Sequence, residues 1–377
     1  MLRLLALDLA LHAYIAFRLL PTLPGGPWAV GALLLLIVAT ASLLPFAVMG
    51  RRSRREQADD RLTFAGYLAA GAFSSLFVLT LARDAALLIA GVLPASLVSP
   101  ASLDALRMAS AAGVPMLAAA LTLIGLFEAR RVPRVKRVDV PIAGLPAALH
   151  GFSIVQVSDL HVGPTIKRKQ VEGVVARVNA LDADMIAVTG DLVDGSVREL
   201  AEHTRPLGGM RARHGTYFVT GNHEYYSGAS AWIAEMRKLG MRVLLNEHVC
   251  LRHDGASVVV AGVTDYSTRR ASGGHASDPH RALAGAPEDA VRVLLAHQPL
   301  SAFEAARAGA TLQLSGHTHG GQFVPWNWLV RYYQPFTAGL HRLGKLWVYV
   351  SRGTGYWGPP KRLGAPSEIT RLRLVSA

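Results

Sequence analysis

Carboxylates, imidazoles and one carboxamide recur in five short stretches of the second half of this 377-residue chain. They are Asp159-Leu160-His161, Gly190-Asp191-Leu192-Val193-Asp194, Gly221-Asn222-His223-Glu224, His297 and Gly316-His317-Thr318-His319. Together they make a mixed oxygen and nitrogen donor set, which suits divalent Mn, Fe, Zn, Ni or Mg and excludes thiolate-selected ions. Cys250 is the single cysteine, so neither a cysteine-rich zinc site nor an intrachain disulfide can form. Asp159 and His161 alternate at a strand end, where a bend turns both toward one ion. Asp191 behind a glycine can offer its two oxygens to two ions, and Asn222, placed the same way, offers a neutral oxygen. His317 and His319 lie two apart, project to one side of an extended segment, and can each serve a different ion.

Such side chains need rigid elements behind them, and the sequence supplies candidates. Most of the five stretches follow an apolar, β-branched run: Ile154–Val157, Ile186–Val188, Tyr217–Val219, Val293–Leu295 and Leu312–Leu314. Strands are expected at Ser153–Val157, Met185–Thr189, Thr216–Thr220, Val258–Gly262, Val291–Ala296, Thr311–Ser315 and Trp347–Val350. Helices are expected at Arg168–Asn179, Val197–Leu207, Ala229–Leu239 and Leu300–Ala308. This alternation implies an α/β sheet core covered by helices, with the polar stretches along one sheet edge. Thr264–Pro287, rich in Gly, Ser and His, reads as a long loop.

The first 128 residues have a different character. Trp28–Met49, Leu62–Ala82 and Leu106–Phe127 are apolar runs long enough to cross a bilayer. Leu4–Leu20 is a weaker run, interrupted by Asp8, His12 and Arg18, and reads as an anchor. Asp8 and His12, one helical turn apart, read as a structural or interfacial pair. Ala85–Val98, set off by Arg83-Asp84, is too short for a comfortable span, so four and five spans compete. The formal charge of +13 raises nucleic-acid binding. However, residues 1–137 carry 14 Lys/Arg against 7 Asp/Glu, and nine of those bases lie in Arg51–Arg55 and Arg130–Arg137, flanking apolar runs. Such charge is a topology signal, which argues against a nucleic-acid partner and for a lipid bilayer. With four spans both blocks fall on the cytoplasmic side, together with the domain that follows.

The ordered set D-x-H, GDxxD, GNHE, H and GHxH resembles the calcineurin-like metallophosphoesterase superfamily over about residues 138–377. GNHEYYSG, LSGHTHGGQ and SRGTG are similar to its bacterial membrane-linked branch, which implies a bacterial inner or plasma membrane. The resemblance implies a β-sandwich flanked by helices. The expected fold is thus an N-terminal α-helical transmembrane region (1–128), a linker and first strand (129–150), and an α/β metallophosphoesterase domain (151–377). It implies two divalent ions, one held by Asp159, His161, Asp191 and His319, the other by Asp191, Asn222, His297 and His317. It further implies a metal-bridging hydroxide that attacks phosphorus in line, and His223 as the acid that protonates the leaving oxygen. Asp194 and Glu224 read as groups that orient ligands or brace turns. Arg352 and Tyr225 are candidate substrate contacts, with Tyr226, Arg269 and Arg270 as further surface candidates. Trp326, Trp328, Leu329, Tyr332 and Tyr333 form a candidate apolar lip. The implied activity is hydrolysis of a phosphoester or pyrophosphate, with a lipid-linked substrate in view. A soluble phosphodiester such as a nucleotide is the alternative, and a non-catalytic metal-binding membrane scaffold a more distant one.

Overall fold

Long, mainly apolar sequence gives the N-terminal region its helices: α1 (Leu2–Leu19), α2 (Gly26–Arg52), α3 (Asp60–Val92) and α4 (Pro100–Arg130). The computed structural model describes residues 2–52, 60–268 and 276–377. All four helices are long and apolar enough to cross a membrane. The separate Ala85–Val98 segment is not found: α3 runs through Arg83 and Asp84, so the described residues hold four candidate spans. The reason is charge pairing between helices. Asp84 accepts hydrogen bonds from the Tyr14 hydroxyl and Arg18 Nε, while Arg83 donates to Ser110 Oγ, Thr22 Oγ1 and the Arg107 carbonyl. Neutralised in this way, two charges need not break an apolar helix. Asp8 and His12 are buried within this unit, 2.9 Å apart, and the His12 ring stacks on Phe73. The segment Gly358–Lys361 also packs with this unit, where Lys361 Nζ donates to the Gly71 carbonyl and the Ser75 hydroxyl.

The second unit comprises residues 129–357 and 362–377. Its strands are β1 (Arg134–Ile142), β2 (Ser153–Val157), β3 (Met185–Val188), β4 (Thr216–Phe218), β5 (Arg242–Val243) and β6 (Glu247–His253). They continue as β7 (Ala256–Gly262), β8 (Val291–Leu295), β9 (Leu312–Ser315), β10 (Gly339–Leu343), β11 (Leu346–Val350) and β12 (Glu368–Ser376). One six-stranded sheet has the order β1-β12-β2-β3-β4-β5, the other β10-β11-β9-β8-β7-β6. Helices α5 (Arg168–Asn179), α6 (Val197–Thr204), α7 (Asn222–Ser227) and α8 (Ala229–Lys238) follow strands of the first sheet. Helices α9 (Pro279–Leu283), α10 (Ala302–Arg307) and α11 (Trp326–Leu329) lie among those of the second.

Strand periodicity explains the layering, because alternate residues face opposite sides of a sheet. Ile154, Met185 and Ala187 meet Val258, Val260 and Leu312 in the core between the sheets. Their neighbours Val155, Val157, Ile186 and Val188 face Val171, Val174 and Val178 of α5 and Trp232 of α8. On the far side Val259, Leu294 and Val348 meet Ala302 and Ala305 of α10. The architecture is therefore helix–sheet–sheet–helix, an α/β sandwich. Both faces of the central strands are covered, so they read as continuous apolar runs.

Arg134–Ile142, within the stretch expected to hold a linker and the first strand, is edge strand β1 and pairs with β12. One expectation changes in detail. The expected Thr264–Pro287 loop contains α9, capped by the Asp278 side chain accepting from the Arg281 N–H. Its candidate contacts Arg269 and Arg270 lie outside the described residues.

Candidate metal centre

The turns after β2, β3, β4, β8 and β9 leave the carboxyl ends of mostly parallel strands, the place where such sheets hold ligands. Backbone shape does much of the positioning. Asp159, His161, Asp191, His317 and His319 all have φ between 51° and 69°. This left-handed region is uncommon for residues with a Cβ and concentrates at functional sites. It folds each turn back sharply, so the side chains converge within a few residues of the strand end.

Two groups of nitrogens approach one another. His161 Nε2 lies 3.1 Å from His319 Nε2, and His319 Nε2 lies 3.5 Å from Asp159 Oδ1. Alongside, His297 Nε2 lies 3.2 Å from His317 Nδ1. Asp191 Oδ2 sits between the groups, 3.1 Å from His297 Nε2 and 3.9 Å from His161 Nε2. Asn222 is buried at the start of α7, next to Gly221, where an added Cβ would fall 2.2 Å from Asp191 Oδ1. All seven residues expected to hold metal thus stand at the carboxyl ends of strands, four after strands of the first sheet and three after strands of the second. Among the described residues, three sets of donors lie close enough for an ion: Asp159, His161 and His319; Asp191, His297 and His317; and His161, Asp194 and His223.

The donor set fits divalent cations. Asp159 Oδ2 and Asn222 Oδ1 are buried without a hydrogen-bond partner, a costly arrangement unless another species completes it. The imidazoles are oriented from behind, as metal-binding histidines are. His297 Nδ1 donates to the Thr189 carbonyl at 2.8 Å, which leaves Nε2 free to coordinate. His161 Nδ1 lies 3.2 Å from Asp194 Oδ1, and the same oxygen takes a short hydrogen bond from His223 Nδ1. His319 is held by Arg362, fully buried, whose Nη1 donates to the His319 carbonyl and whose Nη2 lies 3.0 Å from its Nδ1. Burial, aided by the Arg362 charge, holds His319 well below the usual imidazole value, and so neutral. Burial works to raise the Asp191 carboxyl, but His297, His161 and His223 together keep it well below the carboxylate range.

Glu224 braces the turns. Its carboxylate accepts the Asp191 N–H at 2.9 Å, the Leu192 N–H at 2.7 Å and the Gly221 N–H at 2.7 Å. Burial, and then the Asp191 carboxylate, push its carboxyl up to about 7. His223 Nε2 stands 3.9 Å from Asp191 Oδ2, and its ring meets Tyr226 and Trp357 edge-on at 5.3 and 6.0 Å. Tyr226 is exposed beside His223, whereas the Tyr225 hydroxyl lies 3.5 Å from Thr220 Oγ1. The Arg352 side chain lies along Gly320, next to His319.

Two buried groups were not anticipated. Arg362 follows Gly358-Pro359-Pro360-Lys361, a stretch without strand or motif signal. Asp265, fully buried, accepts from Gln298 Nε2 at 3.0 and 3.1 Å and so stands beside His297. Its signal was available, because it follows β7 as the ligands follow their own strands.

Glycines leave room for the ligands. A Cβ on Gly316 would fall 2.0 Å from Ser158 Oγ and 2.1 Å from Asp159 Oδ2. Gly316→Ala is expected to weaken metal affinity about 10–100-fold, the range for displaced supporting groups. Metal titration followed by elemental analysis checks this, and affinity within twofold of wild type would contradict it.

A family model described as calcineurin-like phosphoesterase matches residues 152–321. A bovine (Bos taurus) transmembrane protein with metallophosphoesterase domain is 42% identical over 273 residues, covering 70% of this chain and 62% of the relative. A zebrafish (Danio rerio) protein of the same description is 38% identical over 270 residues, with the same two coverages. The chain thus matches a little over three fifths of the length of these two relatives. A metallophosphoesterase of the bacterium Aquifex aeolicus is 33% identical over 240 residues, covering 63% of this chain and 89% of that protein. Relatives therefore occur in animals as well as bacteria. With the site geometry, these similarities establish that the chain belongs to the calcineurin-like metallophosphoesterase family.

Proposed function

We propose that the chain is a membrane-anchored, dinuclear metal-dependent phosphoesterase that hydrolyses a phosphoester or pyrophosphate bond. The observation that carries this reading is Asp191 Oδ2 between two converging pairs of imidazole nitrogens. One ion would be held by Asp159, His161, Asp191 and His319, the other by Asp191, Asn222, His297 and His317. When bound, divalent ions supply Lewis acidity toward phosphoryl oxygens and acidify a water for attack at phosphorus.

The protein's own contribution is orientation and proton delivery. Asp194 accepts the hydrogen bond of His223 Nδ1–H, which leaves Nε2 as the nitrogen that would deliver a proton to the leaving oxygen. The Tyr226 and Trp357 rings fix the imidazole plane. Arg352, near His319, and Tyr225 are candidate substrate contacts. Full-length protein with added manganese is expected to release p-nitrophenol from bis-p-nitrophenyl phosphate. Protein that holds divalent ions yet stays inert with each of Mn, Fe, Zn, Ni and Mg would overturn the reading. His223→Asn is expected to lower kcat about 100-fold or more on an alkyl phosphodiester, the usual weight of a positioned acid. It should act far less on the p-nitrophenyl ester, whose leaving group needs no proton; equal losses on both would remove His223 from the acid role.

A lipid-linked substrate is the favoured class. Support comes from the four membrane-length helices. It comes also from Trp328, Tyr332 and Tyr333, which follow His319 closely and are 61%, 84% and 78% exposed. Aromatic side chains in such numbers suit the bilayer interface. A soluble phosphodiester becomes the better reading if turnover of the native substrate needs no detergent or lipid presentation. With four spans, both basic blocks fall on one side, and the positive-inside rule favours the cytoplasm for it. A plasma-membrane location and this sidedness are tested together by C-terminal reporter fusions.

A further inference from the structure

Lys361 is buried, which is rare for a lysine unless partners hold it. Its partners belong to the helical unit. Nζ donates to the Gly71 carbonyl at 3.0 Å and to the Ser75 hydroxyl, one turn apart on α3. Two glycines leave room for its stem. A Cβ on Gly125 of α4 would fall 2.5 Å from Lys361 Cγ, and one on Gly71 would fall 3.6 Å from Lys361 Cδ. Pro359 packs against Gly71, and Gly358 lies near Tyr67, one turn earlier on α3. A basic side chain is thus seated between two helices of membrane-crossing length.

The residues on either side of Gly358–Lys361 touch the metal centre. Before it, the Trp357 N–H donates to Gln322 Oε1 at 2.9 Å, and the Trp357 carbonyl accepts from Gln322 Nε2 at 2.8 Å. The Trp357 ring meets that of His223 edge-on. After it, Arg362 donates to the His319 carbonyl at 2.9 Å and stands 3.0 Å from His319 Nδ1. The Leu363 N–H then donates to the Gln322 carbonyl at 3.2 Å, so Gln322 ties down both stems of the strap. Pro359 and Pro360 lock φ between those stems, which leaves the strap little freedom to absorb a displacement of Lys361.

We infer that Lys361 is a positioning residue for the metal centre. Its seat between α3 and α4 sets the strap from Trp357 to Arg362, and through those two residues the His223 ring and the His319 imidazole. The helices then do more than anchor the chain, because their packing enters the geometry of the donors.

The test uses full-length protein in neutral detergent and two variants. Gly125→Ala places a Cβ where the lysine stem runs and suits a helix better than glycine does. Lys361→Met keeps the length of the stem and removes its donors. Both are expected to weaken manganese binding about tenfold or more, the scale for displaced supporting groups, read by equilibrium dialysis and elemental analysis. Gly113→Ala, on the same helix, adds a Cβ that meets nothing within 4 Å and should bind as wild type. On turnover, an arm that rests on the phosphoesterase reading, both variants should lose more kcat on an alkyl phosphodiester than on bis-p-nitrophenyl phosphate, as displacement of His223 requires. Wild-type manganese affinity in either folded variant overturns the proposal whatever its Tm, because a merely structural lysine would lower Tm and leave affinity alone. An equal fall in Gly113→Ala also overturns it. Wild type that binds manganese without turnover would count against the phosphoesterase reading and leave the affinity comparison intact.

Discussion

Replacing Asp191 by Ala should reduce phosphodiester hydrolysis by at least about a thousandfold, beyond the roughly 100–1,000-fold typical of losing one electrostatic contact. The carboxylate has more than one task. Its Oδ2 stands within 3.9 Å of nitrogens from His297, His161 and His223, and its Oδ1 accepts the His223 N–H at 2.9 Å. Removing it takes the shared oxygen from both proposed ion positions and frees the backbone entry to α7. Bound metal should fall with activity. Asp191→Asn, nearly the same shape, should retain the fold and still lose the ions, because a neutral amide does not balance the charge. Wild-type turnover in either variant would overturn the site assignment.

Glu224 should prove the most consequential residue that touches no proposed ion. Both Glu224→Ala and Glu224→Gln are expected to lower the apparent Tm of the full-length protein by about 6–12 °C. The estimate takes about 3 kcal/mol for three buried N–H groups at about 1 kcal/mol each, with about 2–4 °C per kcal/mol for a unit of this size. Glutamine should fail as a substitute for a specific reason. Three N–H donors converge on two carboxylate oxygens, and an amide offers one oxygen while turning its own NH2 toward the remaining donors. Differential scanning fluorimetry with and without manganese measures the effect. A shift below 2 °C with full metal loading would show that Glu224 does not brace these turns.

The donors were readable in the sequence because each belongs to a turn defined by local signals. An apolar, β-branched run buried on both faces ends in a glycine or a polar residue, and the ligand follows. Other elements depend on distant partners. Glu247–His253 is polar enough to pass for surface chain and becomes β6 only by pairing with β7. Glu368–Ser376 alternates charged and apolar residues, and its place in the sheet is set by β1 and β2, far from it in sequence. Arg83 and Asp84 looked like the end of a helix because Arg18, Tyr14 and Ser110, which compensate them, lie on other helices. Arg362 was hidden for the same reason, since its role is defined by His319, a residue in another loop. The alternation of strands and helices indicated an α/β core. Division into two sheets is decided by which strands pair, and the sandwich was anticipated from family resemblance instead.

The position of β12 also sets a timetable for synthesis. It lies between β1 and β2, parallel to the first and antiparallel to the second, although both are translated long before it. At about 5–20 residues per second, β2 and the first donors wait roughly 10–40 s on the ribosome before the neighbouring strand exists. Throughout that interval β2 presents an unpaired edge, and unpaired edges invite wrong partners. Until β12 arrives the nascent domain keeps that edge open, and chains cut short before Glu368 should aggregate rather than fold.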